Sequence, residues 1–416
     1  MFKIFYYIYD EKLLISNEEY PVLEEIPEIE AEKYKGKIFA LNKLDPKHSR
    51  RSFSVSHENF LFLKEENLNL LLNPKECNIN IPLWIKHAIH SNGVTSLNTN
   101  YTTWRQVLNY TTPNKWRINV IGLGDVGGTL LTGLKLLGVE KIESLGLYDR
   151  DINRNERYKF ELSQILSPDM LESSINIISL KEEEVFDCDM FVFCVSVGVP
   201  KVGNESTDVR LVQFEGNSKI VGHYATLARE KNFKGIFAVV SDPVDLLCKV
   251  AFIDSNSDKA GKLDFKGLAP EQIRGYGLGV MNARACYYAL QNDATKHYIH
   301  EGRAFGPHGE GLIIADSIIN YNEVLSDALT HSTKTANLEV RSTGFKPYIA
   351  PALSSGSLSI LATINSKWHY SATFIGGTFM GCKNRLLPSG IELETTDLNE
   401  ALLRKLNSTY KLLSES

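Results

Sequence analysis

Six consecutive residues, Gly122-Leu123-Gly124-Asp125-Val126-Gly127, have the glycine spacing of a dinucleotide-binding turn. Gly122 permits the tight turn, and Gly124 lets backbone amides approach a pyrophosphate. Asp125 and Val126 open the helix that follows, and Gly127 lets that helix pack closely on its strand. The unpaired N–H groups at the helix start would stabilise phosphate charge. Asp149 follows in Leu147-Tyr148-Asp149, where a carboxylate accepts hydrogen bonds from ribose hydroxyls and repels a 2'-phosphate, so NAD is expected over NADP. Arg150 beside it argues the other way. His87, His90, His297 and His300 lack acidic partners at metal-ligand spacing, so no metal is expected. The 6 cysteines form no CxxC pair and read as reduced, structural thiols.

Glycines mark turns everywhere, so this motif carries weight only between a strand and a helix. The pattern supplies both. Residues 117–121 read as a strand, 127–137 as a helix and 142–148 as the next strand. Residues 190–197 form a continuous apolar strand, 220–231 a helix, 235–240 a strand and 244–252 a helix. Alternation of this kind predicts a Rossmann domain, a doubly wound parallel sheet covered by helices on both faces.

Further segments in order make the chain from about residue 116 onward resemble the lactate/malate dehydrogenase family. Phe191-Val192-Phe193-Cys194-Val195-Ser196-Val197-Gly198 resembles the strand entering the family's mobile loop, placing Val197 and Gly198 at the cofactor. Arg210-Leu211-Val212-Gln213-Phe214-Glu215-Gly216-Asn217 resembles the helix after that loop. Ser241-Asp242-Pro243-Val244-Asp245 looks like the S/T-N-P-V-D segment, 277–284 like G-x-x-L-D-x-x-R, and Gly306-Pro307-His308-Gly309-Glu310 like the segment bearing the catalytic histidine. The resemblance implies an α+β catalytic domain after the Rossmann domain. It also implies His308 as proton donor, Arg210 polarising a carbonyl as the loop closes, and Arg284 gripping a carboxylate with a bidentate fork. Lys201 falls where these enzymes read the far end of the substrate, and Lys346 where they line the pocket with a small residue. Members commonly pair as homo-oligomers.

Two departures bear on the chemistry. The aspartate that orients the family's histidine aligns with Met281, whose thioether is only a weak acceptor, and the asparagine that bonds the substrate oxygen aligns with Asp242. Either Asp242 takes over the orienting of His308, or it faces a positively charged substrate. The expected function is therefore NAD-dependent oxidoreduction of a carboxylate-bearing small molecule. Reduction of an imine or modified-peptide group is an alternative, and a catalytically inactive dinucleotide-binding scaffold or sensor is another.

The rest of the chain sets limits. With 416 residues, a net charge of −5 and 43% hydrophobic content, it is expected to fold into several domains and to have no nucleic-acid partner. No run is long and apolar enough for a membrane span, and the opening residues do not read as a signal peptide, so the cytoplasm is expected. The division expected is a small accessory domain at 1–115, a Rossmann domain at 116–273 and a catalytic domain at 274–416. Within the first, a hairpin is expected over 2–16, short helices over 60–72 and 82–89, and a polar linker over 98–113. The accessory domain is read as a partner- or peptide-recognition module, so a chain starting near Asn114 is expected to fold and bind NADH. Tyr287 and Tyr288 read as core.

Overall fold

The computed structural model describes residues 3–75, 80–168, 175–197 and 209–415, with the side chains of 209–212 excepted. Its main sheet has 9 strands. Six are parallel, in the spatial order Asn176–Ser179, Ile142–Tyr148, Trp116–Ile121, Met190–Phe193, Ile236–Val239, Ile273–Gly275. The reversal of order beside Trp116–Ile121 is where a doubly wound sheet opens a ligand crevice. Alternate residues serve opposite faces. Val192 and Ala238 pack with Leu130, Leu131 and Leu134 on one side. Phe191, Phe193 and Phe237 pack with Val221, Tyr224 and Leu247 on the other. Burial on both faces is why these strands read as unbroken apolar runs.

Several element boundaries differ from expectation, two of them informatively. The strand at 190 ends at Phe193, and the helix expected over 220–231 spans Val209–Glu230. Gly216 and Asn217 weaken the helical signal in the sequence, and packing against the helix Val244–Asn256 overrides that weakness. Nor does the sheet stop at residue 273. Three antiparallel strands, His369–Ile375, Thr378–Leu387 and Gly390–Leu393, extend it past Ile273–Gly275. A π-helical segment, Pro351–Ser357, runs into the helix Leu358–Ile364 and braces the glycine-loop helix Asp125–Leu137 through Ser357 Oγ, which donates to Leu130 O at 2.9 Å. Tyr287, expected in the core, is 60% exposed, because its helix Leu278–Ala289 turns that face outward.

The first hundred residues form a separate 6-stranded sheet. The hairpin is present as Phe5–Tyr9 and Lys12–Ser16, and a helix as Leu83–His90. Residues 60–72 hold no α-helix, only the end of one short 3-10 turn, Glu58–Phe60, and a second, Leu68–Leu71. The stretch 98–113 is not a linker. Its polar residues sit between Tyr101, Trp104, Val107 and Leu108, all buried against Tyr7, Leu14 and Phe39. This region also locks onto the remainder: Leu68, Leu70 and Leu71 share a core with Phe305, Ile375 and Met380. Arg51 Nε pairs with Glu271 at 3.0 Å, and Ser54 Oγ bonds Ser389 Oγ at 2.8 Å. A chain starting near Asn114 would leave this shared core incomplete. Among the described residues no helix is long and apolar enough to cross a membrane.

Candidate active site and cofactor cleft

The glycine turn has the shape its residues imply. Gly122 has φ +85°, a conformation that disfavours a side chain. A Cβ on Gly127 would lie 2.0 Å from Gly122 O, whereas one on Gly124 would meet nothing within 4 Å. The first position thus closes helix on turn, and the second leaves backbone open to a phosphate. No side chain caps the helix start, so its N–H groups face outward beyond Gly124, with Asp125 and Val126 in the first turn. Asp149 Oδ2 accepts from Leu123 N at 2.8 Å and Oδ1 from Asp151 N at 3.0 Å, which fixes the carboxylate at the end of its strand. Arg154, not singled out in the sequence, places Nη1 3.6 Å from Asp149 Oδ2. An open backbone turn beside a fixed carboxylate suits a dinucleotide's pyrophosphate and ribose.

On the far side of the crevice, His308 lies in the turn joining Arg303–Phe305 to Ile313–Ala315, and its Nδ1 is 3.1 Å from Asp242 Oδ1. Gly277 makes room for it, since a Cβ there would sit 3.0 Å from His308 Cβ. Asp242 is held from behind. Asn217, fully buried, donates from Nδ2 to Asp242 O at 2.8 Å and accepts at Oδ1 from Val197 N at 2.9 Å. It therefore ties the loop after Met190–Phe193 to the loop after Ile236–Val239. A polar residue inside a helix otherwise packed on apolar neighbours was the available signal for this role.

Beneath the histidine lies a second carboxyl group. Burial pushes Asp245 up to about 7, opposed by N–H donors of Asp245 itself and of His308 and by the His308 charge. Among the described residues its Oδ1 has no hydrogen-bond partner. Arg284 is partly buried, and burial lowers its pKa from the usual guanidinium range, with Tyr288 and Asp242 opposing. Its Nη1 donates to Met281 Sδ at 3.6 Å. No carboxylate pairs with Arg284 among the described residues, so its fork is available to an incoming anion. Away from this site, His297, which lacks an acidic partner at metal-ligand spacing, meets the buried Asp316 at 3.1 Å across 19 positions of sequence.

A family profile described as the NAD-binding domain of lactate/malate dehydrogenase matches residues 116–262. In sequence and fold the chain resembles the lactate/malate dehydrogenase family. Among its relatives, a malate dehydrogenase of Aliarcobacter butzleri is 26% identical over 281 residues, covering 64% of this chain and 82% of that protein. An L-lactate dehydrogenase of Mycoplasma pneumoniae is 23% identical over 225 residues, covering 54% and 64%. In fold, the chain is similar to a lactate dehydrogenase from a Medee basin deep-sea metagenome, with TM-score 0.58 and 19% identity over 73% of this chain and 98% of that one. The malate dehydrogenase of Picrophilus torridus gives TM-score 0.56 and 17% identity over 72% and 95%. Residues 116–262 are thus an NAD-binding domain, and the relatives matched over a larger part of the chain are dehydrogenases.

Against the family pattern the described residues divide in three. His308 pairs with Asp242, whose charge also acts on Arg284, and Met281 lies against Arg284. Arg210 lies in the first turn of Val209–Glu230, its side chain outside the described residues, as are Gly198 and Lys201. Lys346 stands elsewhere, its Nζ 3.3 Å from Asp125 Oδ2 at the glycine turn.

Proposed function

We propose that the protein is an NAD-dependent oxidoreductase of a carboxylate-bearing substrate, in which His308 exchanges the proton and Arg284 grips the carboxylate. The observation carrying this reading is the 3.1 Å approach of His308 Nδ1 to Asp242 Oδ1 beside an arginine without a carboxylate partner among the described residues. With Nδ1 engaged, Nε2 is the nitrogen that gives a proton to a substrate oxygen or takes it back. Asp242 fixes the tautomer and stabilises the imidazolium, the role the family gives to the position occupied here by Met281. By the family resemblance, polarising the reacting carbonyl falls to Arg210. Bound NAD supplies or accepts the hydride. Asp242 remains half exposed and so can also face a cationic group, which favours as a second reading an imine substrate, in a small molecule or a modified peptide.

The test uses the full protein, NADH and a panel of 2-keto acids. Pyruvate and oxaloacetate are expected to turn over below about 1 per second, at the slow edge of ordinary enzymes, because both residues that orient the family's histidine and substrate oxygen have changed. Asp242→Asn is expected to lower kcat/KM on the best substrate by roughly 100-fold, and Asp242→Asn with Met281→Asp to recover part of that loss on 2-keto acids. An unchanged kcat/KM in the single variant would remove Asp242 from the proton path. Fluorescence titration is expected to show NADH binding tighter than NADPH; the reverse order would overturn the role given to Asp149.

A further inference from the structure

We propose that Lys346 is a ligand for the cofactor's phosphates, held at the mouth of the cleft by Asp125 and not part of the substrate pocket. The inference rests on the NAD-binding assignment of residues 116–262. Lys346 follows Gly344, whose φ of +87° reverses the chain after the helix Glu323–Ser342. That reversal brings its Nζ to 3.3 Å from Asp125 Oδ2, a pairing across 221 positions of sequence. Asp125 is the first residue of the helix Asp125–Leu137, whose start no side chain caps. The ammonium therefore stands beside the N–H groups that receive a pyrophosphate.

The pair does little for stability. Its side chains are 78% and 52% exposed, and ion pairs of that exposure contribute almost nothing to folding. Its consequence lies in charge at the phosphate site. A carboxylate in the first turn would by itself repel a dinucleotide, and Lys346 cancels that repulsion while presenting three N–H donors on a flexible four-carbon stem. A phosphate oxygen can take one of those donors while Asp125 keeps another. Lys346 lies against the cofactor turn through this contact with Asp125.

The experiment titrates NADH, ADP and adenosine into the full-length wild-type protein, Lys346→Met, Asp125→Asn and the double variant, by calorimetry at low and moderate salt. Lys346→Met is expected to weaken NADH and ADP at least fivefold and to flatten the salt dependence, while adenosine, which lacks phosphate, binds all four proteins alike. Asp125→Asn is expected to hold NADH as well as wild type or better. The double variant decides between contact and neutralisation. If it binds NADH as tightly as Asp125→Asn alone, Lys346 only cancels the aspartate and the proposal fails; a persistent fivefold deficit supports direct contact. Absence of NADH binding to the wild-type protein would overturn the cofactor assignment together with this one, whereas wild-type binding without the deficit overturns this one alone.

Discussion

At the scale of single residues, the buried acid behind the histidine sets a pH dependence of its own. Asp245 has its folded-state pKa raised from 3.8 to about 7 by burial. The folded protein therefore binds a proton there that the unfolded chain releases, and stability falls as pH rises from about 4 to about 7. Asp245→Asn keeps the shape and removes the charge. It is expected to raise the melting temperature at pH 8 and leave it nearly unchanged near pH 4; an equal shift at both values would show that the carboxyl does not titrate across this range. His369 acts in the opposite direction. Burial first, then the charge of Arg274, lowers its folded pKa to about 3, so its contribution is present above the unfolded value near 6.5 and is lost as pH falls.

At the scale of elements, the site depends on how closely turns approach one another. Gly277 caps Leu278–Ala289 directly against His308. Gly277→Ala would push the imidazole away from Asp242, so kcat is expected to fall roughly tenfold or more while the NADH dissociation constant changes less than about twofold. Asn217→Ala leaves the Asp242 carbonyl without its donor and should cost about 1–3 kcal/mol in chemical denaturation. The parallel sheet and the glycine turn were legible because their signals are local: apolar runs of strand length, glycines at fixed spacing and an acid closing the next strand. The pairing of His308 with Asp242 was legible only as one of two alternatives, since 66 positions separate them and the turn between two short strands decides which carboxylate arrives. The contact of Lys346 with Asp125 was illegible for the same reason. The two are 221 residues apart, and the reversal at Gly344 that joins them leaves no periodic signal.

At the scale of the whole molecule, the first hundred residues are bound into the rest more firmly than their distinct composition suggests. Arg50 and Glu66 form a fully buried pair close to Gly376, where a Cβ would meet Glu66 O at 2.6 Å. Leu68, Leu70 and Leu71 belong to the same core as Phe305, Ile375 and Met380. Removing three buried leucines at about 2–5 kcal/mol each would match the whole stability of an ordinary domain. A chain starting at residue 114 is therefore expected to lose cooperative thermal unfolding by circular dichroism; a sharp transition near that of the full protein would show the core closing without them. The bond between Ser54 and Ser389 spans 335 positions, and Leu72 pairs with Thr396. On a ribosome adding roughly 5–20 residues per second, the edge strand Ser52–Ser54 emerges roughly 15–70 s before the segment that covers it. During that interval the nascent chain carries an uncapped sheet edge, so its yield in a cell depends on what shields that edge until the last strands arrive.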